Sequence, residues 1–135
     1  MVFTNGCYDL LHPGHIRTLE AARSMGDVLI LGLNSDAATE RMKGPSRPIV
    51  PEDERVELAL ALEAVDAVTL FDEETPRALI AAILPDVLVK GADWSHFVAG
   101  RDEVEAAGGR VVNLPLEPGY STTGTIELIA SGSRT

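Results

Sequence analysis

The chain has 135 residues, 45% of them apolar, enough to bury one ordinary core and too few for two, so a single domain over residues 1–135 is expected. A formal net charge of −10, with no basic run interleaved with aromatics, argues against a nucleic-acid partner. The lone Cys7 forms no internal disulfide, Met1-Val2-Phe3 lacks the shape of a secretory leader, and no apolar run nears the roughly 18 residues of a membrane span, so a cytoplasmic protein without membrane segments is expected.

Short apolar stretches alternate with helical patterns. Residues 2–4 predict a first strand. Pro13 then opens a helix with Ile16, Leu19, Ala22 and Met25 on one face, since proline at the first helical position gives up an N–H the helix does not use. Gly26 closes it. Residues 27–33 predict a second strand, a short helix follows Asn34-Ser35-Asp36, and a third helix opens at Pro51-Glu52-Asp53-Glu54, its acids set against the positive end of the dipole. Next come a strand over 67–71, a helix over 76–84 stopped by Pro85, a strand over 86–89, a helix over 98–107 ended by Gly108-Gly109, a strand over 110–114 and a last helix from Ser121.

The strands are rich in Val, Ile and Leu and do not alternate, as in a parallel sheet covered on both faces. Their order predicts right-handed crossovers and a Rossmann-like, doubly wound α/β fold, with a five-stranded parallel sheet between helices. Residues 43–50 and 114–119, broken by proline and glycine, are long irregular connections, and residues 131–135 read as a frayed tail. In open α/β sheets such connections gather at the carboxyl ends of strands, where ligands bind.

The first strand runs into Thr4-Asn5-Gly6-Cys7-Tyr8-Asp9-Leu10-Leu11-His12-Pro13-Gly14-His15. Gly6 allows close approach to the backbone, and Gly14 keeps a Cβ away from the helix entrance. That entrance offers unpaired N–H groups and the positive end of the macrodipole to a phosphate oxygen. His12 and His15 project to one side of it and can donate to the same anion. A plain capping role for His12 is also open. Such a pair suits zinc as well, but no third ligand accompanies it, and no metal residue is assigned. Cys7 has no activating base nearby and is expected to be inert. The chain has no Ser/His/Asp set and no nucleophile elbow.

This stretch resembles the signature of the cytidylyltransferase-like nucleotidyltransferases, in which Gly-x-(Phe/Tyr)-Asp precedes His-x-Gly-His; Tyr8 stands where phenylalanine is commoner. Asn34-Ser35-Asp36, Lys43-Gly44-Pro45-Ser46-Arg47-Pro48, Glu54-Arg55, Val89-Lys90-Gly91-Ala92-Asp93-Trp94 and Gly119-Tyr120-Ser121-Thr122-Thr123 are similar, in order and spacing, to one branch. That branch is the heptose 1-phosphate adenylyltransferase domain of ADP-heptose synthase. The likeness covers residues 2–129. Members of the branch usually carry a further segment ahead of the first strand.

The resemblance implies transfer of AMP from ATP to a sugar 1-phosphate, with D-glycero-beta-D-manno-heptose 1-phosphate as acceptor and pyrophosphate as leaving group. It also implies Mg²⁺ held mainly by the triphosphate, and a homodimer. By the same resemblance His12, His15 and Lys43 are catalytic. Thr4, Asn5, Gly6, Gly14, Arg55, Gly91, Asp93, Ser121, Thr122 and Thr123 join the histidines around the nucleotide, and Asp9, Lys43, Arg47, Lys90 and Trp94 face the acceptor. The missing triad suits this chemistry, because the attacking group is already an oxyanion and the protein needs only to position it and neutralise charge.

Several of these residues have plainer uses. Lys43 is equally readable as a solvated lysine, Arg55 can pair with Glu52, Trp94 can anchor its loop, and Ser121, Thr122 and Thr123 are good helix caps. Two other functions compete. A cytidylyltransferase acting on glycerol 3-phosphate or a related phospho-alcohol would carry Arg-Thr-Glu-Gly-Ile-Ser before the last helix; Leu116-Glu117-Pro118-Gly119-Tyr120-Ser121 lacks that arginine, which favours adenylyl transfer. A non-catalytic nucleotide-binding or flavodoxin-like module would need the helix starts but not both histidines.

Overall fold

Buried on both faces, branched apolar strands pair most readily side by side in parallel, with helices returning the chain over the sheet. The computed structural model describes residues 1–91, 98–115 and 119–132. Its strands are β1 (Val2–Gly6), β2 (Leu29–Asn34), β3 (Ala67–Phe71), β4 (Val87–Gly91) and β5 (Arg110–Leu114). Its helices are α1 (Pro13–Arg23), α2 (Asp36–Lys43), α3 (Glu52–Leu60), α4 (Arg77–Ile83), α5 (Arg101–Ala106) and α6 (Thr122–Ser131). The strands form one sheet of order β3-β2-β1-β4-β5, every pairing parallel.

Successive side chains of a strand point to opposite faces, so each strand serves two cores. On one face Val2, Leu29, Leu31, Leu33, Val87 and Val89 pack with Leu19 and Ala22 of α1 and Ala59 of α3. On the other, Phe3 and Leu88 pack with Ile80 of α4 and Val104 of α5. The chain runs from β1 outward to β3, then returns to β4 on the far side of β1. This reversal opens a crevice at the carboxyl ends of β1 and β4, the usual ligand position in such sheets.

The element order follows the sequence reading, while several boundaries differ. β1 continues to Gly6, past residue 4, because Asn5 and Gly6 pair with Gly32 and Leu33; β4 reaches Gly91 because Lys90 and Gly91 pair with Asn113 and Leu114. Pairing thus draws polar residues into the strands. α5 starts only after Gly100, which adopts a left-handed φ of 87°. Lys43, read as loop, closes α2, and Ser131, read as tail, closes α6. Residues 133–135 lie outside the described residues.

Candidate active site

The loop from β1 to α1 turns through left-handed backbone at Tyr8 (φ 49°) and Leu10 (φ 52°). Gly6 makes room for this turn: a Cβ there would lie 2.8 Å from Cε2 of Tyr8. Burial pushes the Tyr8 phenol up to about 12, and its hydroxyl meets Thr4.

His12 is the N-cap of α1, and the cap is reciprocal. The His15 amide donates to His12 Nδ1 at 3.3 Å, and the His12 amide donates to His15 Nδ1 at 3.2 Å. Because both Nδ1 atoms accept, a neutral ring in either residue carries its proton on Nε2. The rings stack, with centroids 3.7 Å apart and planes at 18°. Gly14 is required beside them, since a Cβ would stand 2.9 Å from His12 Cε1 and 3.1 Å from Tyr120 Cβ.

Both histidines are held neutral. Burial depresses His12, and burial followed by the charges of His12 and Lys43 pushes His15 down to about 4. The site therefore presents two Nε2–H donors at a helix start without an imidazolium. A stability prediction follows, with the sign set by linkage. Between the ordinary histidine value of 6.5 and about 4, the unfolded chain binds a proton at His15 that the folded chain refuses. Stability should fall as pH drops through that window, and His15→Gln should lose this part of the slope. Thermal melts of both proteins at successive pH values check it; identical slopes would contradict it.

The start of α6 is fastened to the histidine loop. Tyr120 stacks on His12 at 5.8 Å, the Arg17 guanidinium lies 5.3 Å from the Tyr120 centroid, and Thr122 Oγ1 donates to the Asp9 carbonyl at 2.6 Å. Ser121 caps the helix by accepting from the Gly124 amide at 2.8 Å. Tyr120 entered the sequence reading only within the segment Gly119-Tyr120-Ser121-Thr122-Thr123 that carries the resemblance, with no role of its own.

Asp9 departs from its expected place against the acceptor. It is 1% exposed and accepts from the Ile49 amide at 2.8 Å, the Val50 amide at 2.9 Å and Arg47 Nε at 3.1 Å. Burial alone would raise its carboxyl, but the two amides and Arg47 outweigh burial and hold it below the ordinary value. Arg47, likewise expected at the acceptor, is 9% exposed, spends Nη1 on Thr123 Oγ1 at 3.4 Å, and leaves Nη2 without an acceptor among the described residues.

Arg55 is also corrected. Instead of meeting a nucleotide or Glu52, it is wholly interior and donates to the carbonyls of Cys7 (2.7 Å), Asn34 (2.9 Å) and Val50 (2.9 Å) and to Asp36 (2.8 Å). Thr4 is interior too, its hydroxyl donating to the Val89 carbonyl at 3.0 Å. Both side chains brace the strand ends. Asp93, Trp94 and residues 116–118 lie outside the described residues.

At the carboxyl ends of β1 and β4, a cleft of about 470 Å³ is lined by Asn5, Gly6, Asn34, Lys43, Lys90 and Gly91, with Cys7, Met42, Ala99 and residues 74–76 completing it. Of these, Asn34, Glu74 and Thr75 had no assigned role. Lys43 belongs to both halves, since it lines the cleft and its charge is felt at His15.

A family model described as cytidylyltransferase-like matches residues 3–127. Among curated relatives, "Bifunctional protein HldE" of Trichlorobacter lovleyi is 55% identical over 130 residues, 96% of this chain and 26% of that protein. The protein of the same name from Mesorhizobium japonicum is 56% identical over 132 residues, 97% and 27% respectively. The chain thus spans about a quarter of the length of these relatives. Among solved structures, the lipopolysaccharide core biosynthesis protein from Thermoplasma volcanium superposes with a TM-score of 0.68 at 28% identity, covering 86% of this chain and 94% of that one. Pantothenate synthetase from Thermus thermophilus, with a TM-score of 0.53 at 19% identity over 84% and 55%, shares the fold.

Proposed function

The chain belongs to the cytidylyltransferase-like family, and on that premise we propose that it transfers AMP from ATP to D-glycero-beta-D-manno-heptose 1-phosphate, releasing pyrophosphate. The observation that carries this reading is the reciprocal histidine cap, which aims two neutral Nε2–H donors from a helix start beside a cleft lined by two lysines. A phosphate oxygen of the acceptor forms the new bond to the α-phosphorus, and the bond from that phosphorus to the bridging oxygen breaks. The electron pair leaves with pyrophosphate. Negative charge grows on the bridging oxygen, where donors fixed in advance contribute most.

His12, His15 and Lys43 serve that oxygen and the triphosphate, which brings Mg²⁺ with it as part of the substrate. Asn5, Gly6, Gly14, Gly91 and the α6 start, Ser121 to Thr123, surround the nucleotide. Arg47, which reaches Thr123 at the α6 start, is the loop cation assigned to the acceptor. ATP and a heptose phosphate are favoured by the branch resemblance, by the HldE relatives and by the missing arginine ahead of α6. The reading includes a cytoplasmic homodimer. No helix among the described residues is long and apolar enough to cross a membrane.

The test is a matrix of ATP and CTP against heptose 1-phosphate, glucose 1-phosphate and glycerol 3-phosphate, read by pyrophosphate release with Mg²⁺. Release should be fastest with ATP and heptose 1-phosphate. Faster release from CTP with glycerol 3-phosphate, or none from any pair, would overturn the assignment.

A further inference from the structure

Alternation along β2 decides where its last residue points. Leu29, Leu31 and Leu33 pack with α1 and α3, so Asn34 projects to the opposite face, where Ile30 meets the core of Phe3, Leu88 and Ile80. The neighbouring strands place polar residues on the same face, Asn5 two residues after Phe3 on β1 and Lys90 two after Leu88 on β4. Three polar side chains on three adjacent strands thus line the cleft.

Two of the three satisfy each other, since the Lys90 ammonium donates to Oδ1 of Asn5. Asn34 is the third. It is 5% exposed, and its backbone is fixed by pairing with Phe71 of β3 and by Arg55, which donates to its carbonyl at 2.9 Å. Its carboxamide has no hydrogen-bond partner among the described residues, yet it is not sealed in the core, for it lines the cleft. An amide withdrawn from water and left unpaired is unfavourable, and native structures rarely keep one without a use.

The chemistry of the amide selects its ligand. Oδ1 accepts and Nδ2 donates, so a phosphate oxygen would satisfy one end only, whereas two neighbouring hydroxyls satisfy both. The edge of adenine also offers a donor beside an acceptor, but among the described residues no aromatic ring lines the cleft to stack a base. Thr75 and the carboxylate of Glu74, which share the cleft with Asn34, suit hydroxyls as well. A second cavity of about 450 Å³, reaching Arg41, is lined by Asn34, Glu74 and Thr75 too. Asn34 therefore stands where there is room for a sugar ring in addition to its phosphate.

Resting on the nucleotidyl-transfer reading above, we infer that the Asn34 carboxamide binds two neighbouring hydroxyls of the acceptor sugar, Oδ1 accepting from one and Nδ2 donating to the other. Asn34 is then a specificity-determining residue, which distinguishes a sugar phosphate offering both hydroxyls from one that lacks either.

Two measurements separate this inference from the reading on which it rests. In steady-state kinetics Asn34→Leu, which keeps the shape and removes both polar atoms, should raise the acceptor KM by about 10- to 100-fold, the range for two neutral hydrogen bonds. The ATP KM should stay unchanged. Asn34→Ser, smaller and with one hydroxyl, should show the same split with a lesser rise, and it carries the test should the leucine variant fail to fold. An unchanged acceptor KM would overturn the inference; so would a rise confined to the ATP KM, which would place the adenine edge at Asn34.

Calorimetric titration of the nucleotide-free chain needs no turnover. Wild type should bind heptose 1-phosphate more tightly than inorganic phosphate. Asn34→Leu should bind the sugar phosphate about tenfold or more weakly and inorganic phosphate as wild type does. Equal weakening toward both ligands, weakening toward neither, or a wild type without preference would overturn the inference. A preference that depends on Asn34 in a chain that transfers no AMP would uphold the hydroxyl site and overturn only the transfer reading.

Discussion

Replacing His15 with alanine is expected to lower kcat for AMP transfer by about 10²- to 10³-fold while moving either KM far less, the signature of a contact made chiefly in the transition state. The expectation comes from the tautomer. Because His15 Nδ1 is committed to the His12 amide, Nε2–H is the donor left to meet charge on the leaving oxygen. Burial first, then the proximity of His12 and Lys43, pushes the ring down to about 4, so the donor stays in place through the neutral range. Alanine also deprives the His12 amide of its acceptor, a loss of about 1 kcal/mol of helix stability, which a thermal melt separates from the kinetic effect. His12→Ala should behave alike, and the double variant should fall well short of the product of the two losses, since both rings act on one leaving group. A variant whose ATP KM rises at constant kcat would assign the histidines to ground-state binding instead.

Arg55→Ala carries the largest expected loss of stability, about 3–5 kcal/mol, because it removes a buried charge and strands the carbonyls it satisfied. Those carbonyls belong to Cys7 after β1, Asn34 at the end of β2 and Val50 before α3. One guanidinium therefore ties the segments that frame the crevice. Against a typical total of about 5–15 kcal/mol, such a loss leaves a marginal fold. Arg55→Met, which keeps the stem but no donor, should fare little better. Urea unfolding measures both; a loss below about 1 kcal/mol would place Arg55 at the surface, in conflict with its buried hydrogen bonds.

The sequence made the sheet legible because its strands are plain apolar runs bounded by turn residues, and periodicity separates them from the helices. Strand ends were harder to read. Asn5, Gly6, Lys90 and Gly91 join the ladder only because a neighbouring strand is there to pair with them, and that is a tertiary fact. The histidine motif was legible too, since helix start, glycine and spacing are local. Its reciprocal capping was not, because either ring can accept or donate. Charged residues around the crevice were least legible: Asp9 in its loop and Arg55 on α3 look like ligand contacts, yet both turn inward to satisfy backbone groups. A buried charge with several backbone partners and an exposed one awaiting phosphate share one letter in the sequence. Packing alone distinguishes them.

The most direct measurement follows the α-phosphorus. ATP labelled at that atom is incubated with the chain, Mg²⁺ and heptose 1-phosphate, and the products are separated. The account predicts label in a sugar-linked nucleotide with one unlabelled pyrophosphate per transfer, and almost none of either from His15→Ala. Label recovered as free AMP, or undiminished transfer by the variant, would contradict it.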